Sequence, residues 1–195
     1  ITTFSAASGG PFAGAQTITG STTFNNLVVN PGTSLTLNNP IIVNGDLTIS
    51  TGSLICAGNS VSVKGDVTNI SGYTDNNGAG SGLILNGTTL QKITGFGAFN
   101  RFTLNNAAGA TIENDITIQE DLTMILGILD IKKNLVSLGV NSNIVPVPAL
   151  SLNASKMITS DGVFSNVGLR KFFNPGATTF LYPIGTSGKY TPANL

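Results

Sequence analysis

The sequence predicts an all-β solenoid, a parallel β-helix of about twenty residues per turn, and three observations predict it. Residues 16–63 are repeated without a gap seventy-five positions later, at 91–138, with 18 of the 48 positions identical. Within each copy a shorter beat returns. Leu27 to Leu47 is twenty residues, Leu35 to Leu54 nineteen and Ile41 to Val61 twenty, the rhythm of three short strands per turn. The composition is turn-rich, with 24 glycines and only 9% charged residues, which favours β structure over helix. Self-similarity at a fixed offset marks an architecture in which each unit buries its apolar edge against the next.

Residues 1–15 are small, Gly-rich and aperiodic, and are expected to form an N-terminal arm or cap over the open strand edges of the first turn. The first copy then alternates as Leu27 and Val29, Leu35 and Leu37, Ile41 and Val43, Leu47 and Ile49, Leu54 and Cys56, Val61 and Val63. Each pair is a short strand showing one face to a core. Comparing the copies separates the faces. Leu35/Ala110, Leu37/Ile112, Val43/Ile118, Ile49/Met124 and Cys56/Ile131 stay apolar, whereas Val28/Thr103, Thr36/Thr111, Ile42/Thr117, Ile55/Asp130 and Ser62/Ser137 drift or are polar. A one-residue slip would expose every inward side chain, at roughly 1.5–3 kcal/mol for each large one, so the register is determined.

Corners are expected at Asn30-Pro31-Gly32, Asn38-Asn39-Pro40, Asn44-Gly45 and Thr51-Gly52, residue types that accept left-handed or fixed backbone angles. Residues 68–82 carry little apolar content and are expected to bulge from one corner as a loop. The beat resumes at Leu83 and Leu85, and the offset of seventy-five places the second copy close to four turns further along the same axis. After Val140 the pattern degrades, and Pro146 and Pro148 exclude their stretch from a central strand. The resulting organisation is a cap over 1–15, a solenoid over 16–159 and the start of a separate, truncated β element over 160–195.

Net charge is zero, and the nine basic residues are scattered apart from Lys132-Lys133 and Arg170-Lys171, so no field is built for nucleic acid or an anionic membrane. No apolar run reaches membrane-spanning length. Cys56 faces Ile131 across the duplication and reads as a small core hydrophobe. The chain opens at Ile1 without a start methionine or leader, as a mature secreted product or a piece of a longer chain does.

The absence of histidine removes Ser-His-Asp and Cys-His catalysis and most zinc sites, and no cofactor is expected. Carboxylates remain. Glu113, Asp115, Glu120 and Asp121 gather in the second copy where the first has Asn38, Pro40, Gly45 and Asp46, and Glu113 and Asp115 are spaced to point the same way. Such a cluster serves acid/base chemistry or calcium binding on this scaffold, yet solvated acids are ordinary at corners. Asp75, in an Asn- and Gly-rich stretch, is a weaker calcium candidate without a second carboxylate beside it, and Tyr73 is a candidate sugar-stacking platform. Gly95-x-Gly97 is too short for a phosphate loop. Outward threonines raise ice binding, but the beat puts Val28, Thr48 and Thr68 in one column and breaks the array.

The phrases Phe24-Asn25-Asn26-Leu27, Asn44-Gly45-Asp46-Leu47-Thr48 and Gly52-Ser53-Leu54, closed by Arg170-Lys171-Phe172-Phe173 and Tyr182-Pro183-Ile184-Gly185 with Gly188-Lys189-Tyr190-Thr191-Pro192, resemble large surface and adhesin-like proteins of the Bacteroidota. The resemblance implies a right-handed parallel β-helix on a secreted or cell-surface protein exported by the type nine route. It implies a non-catalytic stalk or adhesin segment, with a glycan or surface ligand and the rest of a larger surface protein as partners. A polysaccharide lyase or hydrolase using the acidic cluster is the alternative, since one scaffold carries both.

Overall fold

The computed structural model of the chain describes residues 1–4, 16–30, 34–50, 53–74, 81–161, 166–176, 179–186 and 188–195. Among them lie twenty-seven strands and no helix. The chain visits three faces in fixed order. The first turn sets β1 (Thr2–Phe4) on face one, β2 (Gln16–Ile18) on face two and β3 (Thr22–Phe24) on face three. The cycle repeats with β4 (Leu27–Val29), β5 (Ser34–Leu37) and β6 (Ile41–Val43), and again with β7 (Leu47–Ile49), β8 (Ser53–Ile55) and β9 (Ser60–Val63). Next come β10 (Val67–Asn69), β11 (Gly72–Thr74) and β12 (Gly82–Leu85), then β13 (Gln91–Thr94), β14 (Ala98–Phe99) and β15 (Phe102–Asn105). The following turns are β16 (Ala110–Ile112), β17 (Ile116–Ile118) and β18 (Leu122–Leu126), and β19 (Leu129–Asp130), β20 (Leu135–Leu138) and β21 (Ile144–Pro146). After these, β22 (Ile158–Thr159) returns to face one and β23 (Gly168–Lys171) to face two.

Paired neighbours in these stacks are parallel, with the ladder of face two divided between β11 and β14 into two four-stranded sheets, and the register carries like onto like: Leu27 on Leu47 on Val67, Leu35 on Leu54, Ile41 on Val61. The inward positions form one continuous core, in which Leu37, Val43, Ile49, Cys56, Ile118 and Met124 have no accessible surface. This bears out the parallel solenoid and its faces. Val28, Thr48 and Thr68 do stand in one outward column.

The two copies share the axis but not the phase expected of them. Each holds eight strands, β2 to β9 and β13 to β20, and the intervening residues hold β10, β11 and β12. The offset is therefore eleven strands, three turns and two thirds rather than four turns. Equivalent strands look out from different faces: β4 lies on face one and its counterpart β15 on face three. The stretch expected to bulge as a loop, residues 68–82, is the cause. It contains the end of β10, all of β11 and the first residue of β12, because a parallel ladder asks for backbone amides and Gly72-Tyr73-Thr74 supplies them opposite Ser53-Leu54-Ile55.

Parallel pairing also runs past the expected boundary at 160. Strand β23 lies in register on β20, and Ile184 of β25 (Ile184–Thr186) lies on Ile158 of β22. The character changes beyond that point. Strand β26 (Lys189–Tyr190) turns back antiparallel on β25, and β24 (Leu181–Tyr182) pairs antiparallel with β27 (Ala193–Asn194). The prolines behave as expected, since β21 with Pro146 is the last strand of face three. Of the expected cap, Thr2–Phe4 is itself a solenoid strand paired on β4, and residues 5–15 lie outside the described ones.

Candidate functional site

The four acids of the second copy flank β17, two before it and two after. They do not converge. The Glu113 carboxylate lies 2.5 Å from the Lys132 ammonium of the next turn and accepts a hydrogen bond from Thr111 Oγ1 at 2.8 Å. The Lys132 contact, then the Thr111 bond, holds the Glu113 carboxyl below its ordinary range. Asp115 is turned to other work: its Oδ1 accepts the Leu135 backbone N–H at 2.8 Å. The two side chains expected to point the same way are separated by a corner, Glu113 following one strand and Asp115 preceding the next, so the period-two rule does not join them.

On the other side of β17, Glu120 meets Arg101 of the preceding turn at 2.6 Å, while Asp121 Oδ1 accepts the Asn143 backbone N–H at 3.2 Å. The two aspartates thus cap backbone and the two glutamates pair with cations, each across adjacent turns. Asp46 in the first copy shows the same capping role. Asp46 N–H donates to Asn26 Oδ1, Asp66 N–H to Asp46 Oδ1 and Lys92 N–H to Asp66 Oδ1, at 2.7, 2.8 and 2.8 Å, a ladder of side chains climbing one corner. Buried or half-buried amides at a corner need an acceptor, and a stacked Asn or Asp provides it.

The ion pairs are substitutions of neutral pairs. Glu113 and Lys132 replace Asn38 and Ala57, and Arg101 and Glu120 replace Asn26 and Gly45. Ala57 and Lys132 share a left-handed backbone, both at φ 50°, and the Asn two residues later caps the turn below in both copies, Asn59 onto Leu37 O and Asn134 onto Ile112 O. The local backbone is the same, and only the charge differs.

Asp75 lies outside the described residues. Tyr73 belongs to strand β11 rather than to a loop, and its side chain is not among those described. Gly95-x-Gly97 has a packing role: a Cβ on Gly97 would overlap the Asn69 amide, and one on Gly95 the Asn69 carbonyl. Asn69 is fully buried, points inward beside Ile49, and its amide has no partner among the described residues. Nothing in local sequence marks it, since an inward Asn looks like any corner Asn.

Arg101 and Asp121 also line two adjoining clefts on face three. One, of about 380 Å³, has Ile84, Thr103, Thr123 and Ile125 along it, and the other, of about 320 Å³, is bounded by Glu120, Asn141 and Asn143. Sequence reading did not find this groove. Its signal was the change from Asn26 to Arg101 between copies. A further cleft at the last turn, lined by Ile131, Ile158, Leu169, Tyr182 and Ile184, is the end of the apolar core. Among the described residues no three acidic or thiol groups gather closely enough to hold a metal ion, and no helix is long and apolar enough to cross a membrane.

Fold and sites together define a parallel β-solenoid repeat protein with charged corners. The chain matches no family model, no curated protein and no solved structure.

Proposed function

We propose that this chain is a non-catalytic segment of an extracellular surface protein, a stiff stalk or adhesin element whose partners are a glycan or surface ligand and the rest of a larger protein. The observation that carries the reading is the separate engagement of the acids: Glu113 with Lys132, Glu120 with Arg101, Asp115 and Asp121 with backbone amides. A glycosidase or lyase requires its carboxylates to converge on one bond. A rod requires them to tie successive turns together. The uninterrupted core supports stiffness, because every turn is buried against its neighbours. Low charge and an Asn- and Thr-rich surface, with the resemblance to Bacteroidota surface proteins, support an exported location.

The test pairs small-angle scattering with a reducing-end release assay on linear polysaccharides. Nine parallel strands on face one, at about 4.8 Å per step, give a rod of about 40 Å. The expected result is that elongated form with no release of sugar ends. Release that vanishes in Asp115→Asn would replace the stalk with the enzyme.

A further inference from the structure

We propose that the face-three groove beside Arg101 binds a neutral, extended glycan chain lying along the solenoid axis. The groove crosses β12, β15, β18 and β21 rather than following one strand. Two outward columns line it, with Arg101, Asp121 and Asn143 in one and Ile84, Thr103 and Thr123 in the other. The rungs of β15 and β18 therefore each offer one charged group and one threonine, Arg101 with Thr103 and Asp121 with Thr123, at the strand spacing of about 4.8 Å. A linear chain of sugar rings advances by a similar step and presents hydroxyls at each ring.

The chemistry of the walls excludes other ligands. An anion is disfavoured because Glu120 already neutralises the Arg101 guanidinium and Asp121 stands beside it. A bare cation lacks the cluster of three acids it needs. An added peptide strand has no free edge in the middle of the groove, since β15 is paired with β12 and β18, and at its end the β21 edge carries Pro146, which has no N–H to donate. An apolar ligand would strip water from a guanidinium, two carboxylates and two amides. Neutral hydroxyls suit these groups: they accept from guanidinium and amide, donate to carboxylate, and lay C–H faces on Ile84 and the threonine methyls.

The inference rests on the adhesive part of the function proposed above and leaves the rod part to its own test. The duplication supplies the variant. Arg101→Asn with Glu120→Gly rebuilds the Asn26 and Gly45 pair that the same backbone already carries in the first copy, so the fold is retained while the groove loses its charged wall. Calorimetric titration of the full chain uses linear neutral hexasaccharides of glucose, xylose and mannose, with oligogalacturonate as the anionic probe. The expected result is saturable binding of at least one neutral probe, weakened by at least about ten-fold in the double variant and unchanged in Lys132→Ala at the other corner. If circular dichroism shows the double variant unfolded, Thr103→Val with Thr123→Val takes its place and is expected to weaken binding likewise. Binding of none of the neutral probes, binding of oligogalacturonate alone, or neutral binding untouched by the groove variants overturns the site. Loss of the groove in these assays with the 40 Å rod still seen by scattering would separate this failure from that of the stalk.

Discussion

The Arg101 guanidinium stands 2.6 Å from the Glu120 carboxylate, at the two positions where the first copy carries Asn26 and Gly45. The exchange is reciprocal. In the first copy the Asn26 side chain lies over Gly45, and a Cβ there would overlap its Oδ1. In the second, Arg101 reaches away to Glu120 and to Ser81 Oγ, and the glycine is no longer needed. Gly45→Glu alone is therefore expected to destabilise the chain by about 1–3 kcal/mol, the cost of overpacking a fixed corner. Gly45→Glu with Asn26→Arg is expected to recover part of that loss, less about 1 kcal/mol for the Asp46 N–H that loses its Asn26 Oδ1 acceptor. Urea unfolding of the parent, the single and the double variant measures it, and a double variant no better than the single would break the reciprocity.

How far such pairs are legible in sequence differs from how far the faces are. Leu37, Val43 and Ile49 are readable as core because burial imposes a period of two, and a wrong register would expose all of them together. Phase is not readable in the same way. Strand β11 is Gly72-Tyr73-Thr74, with no aliphatic residue, yet it fills one third of a turn through its backbone pairing with β8. The acids Glu113, Asp115, Glu120 and Asp121 stand out when the copies are compared, but their partners do not. Leu135 N–H and Asn143 N–H are backbone groups that any residue would offer, and Arg101 lies a full turn away from Glu120.

The corner ladder through Asn26, Asp46 and Asp66 uses only side-chain acceptors, and Asn26 shows that an amide oxygen serves as well as a carboxylate. Asp46→Asn is expected to change stability by less than about 0.5 kcal/mol, whereas Asp46→Ala strands the Asp66 N–H and costs about 1 kcal/mol. Denaturant midpoints of the two variants decide this. Equal losses would mean that charge, not the acceptor, matters at the corner.

Glu113 yields a pH prediction. Its folded pKa lies below the ordinary 4.5, chiefly through Lys132 and then Thr111. A carboxyl depressed on folding contributes stability that is whole above the unfolded value and drains away as pH falls through the folded one. The pair is part-exposed, 27% at Glu113 and 37% at Lys132, so solvent screening keeps its contribution under about 1 kcal/mol. Lys132→Ala restores the residue of the first copy and is expected to lower the neutral thermal midpoint slightly and to flatten the fall below pH 4.5, where parent and variant converge. An acid limb as steep as that of the parent would assign the drop to other carboxyls.

The two-thirds phase between the copies makes the chain divisible by whole turns and not by strands. Leu83 lies on Val61 and Ile84 on Ser62 in the ladder between β9 and β12, so removing residues 62–83 splices Val61 to Ile84 and replaces a strand by its own neighbour. Leu85 still faces the core, Ile84 still faces out, and β13 arrives at face one to dock on β7 in place of β10. The shortened chain is expected to fold, because a solenoid's stability is a sum over turns and their interfaces. Its unfolding should stay cooperative, with a denaturant slope smaller by roughly a tenth, in proportion to the surface lost. Removing residues 65–70 takes out β10 with its corners and only a third of a turn. Every later strand then moves back one face, Tyr73 is asked to follow Leu47 on face one, and no inward column remains continuous. That variant is expected to aggregate or to lose the β spectrum in circular dichroism. If the shorter deletion folds as well as the whole turn, the three-face phase does not govern the assembly of the rod.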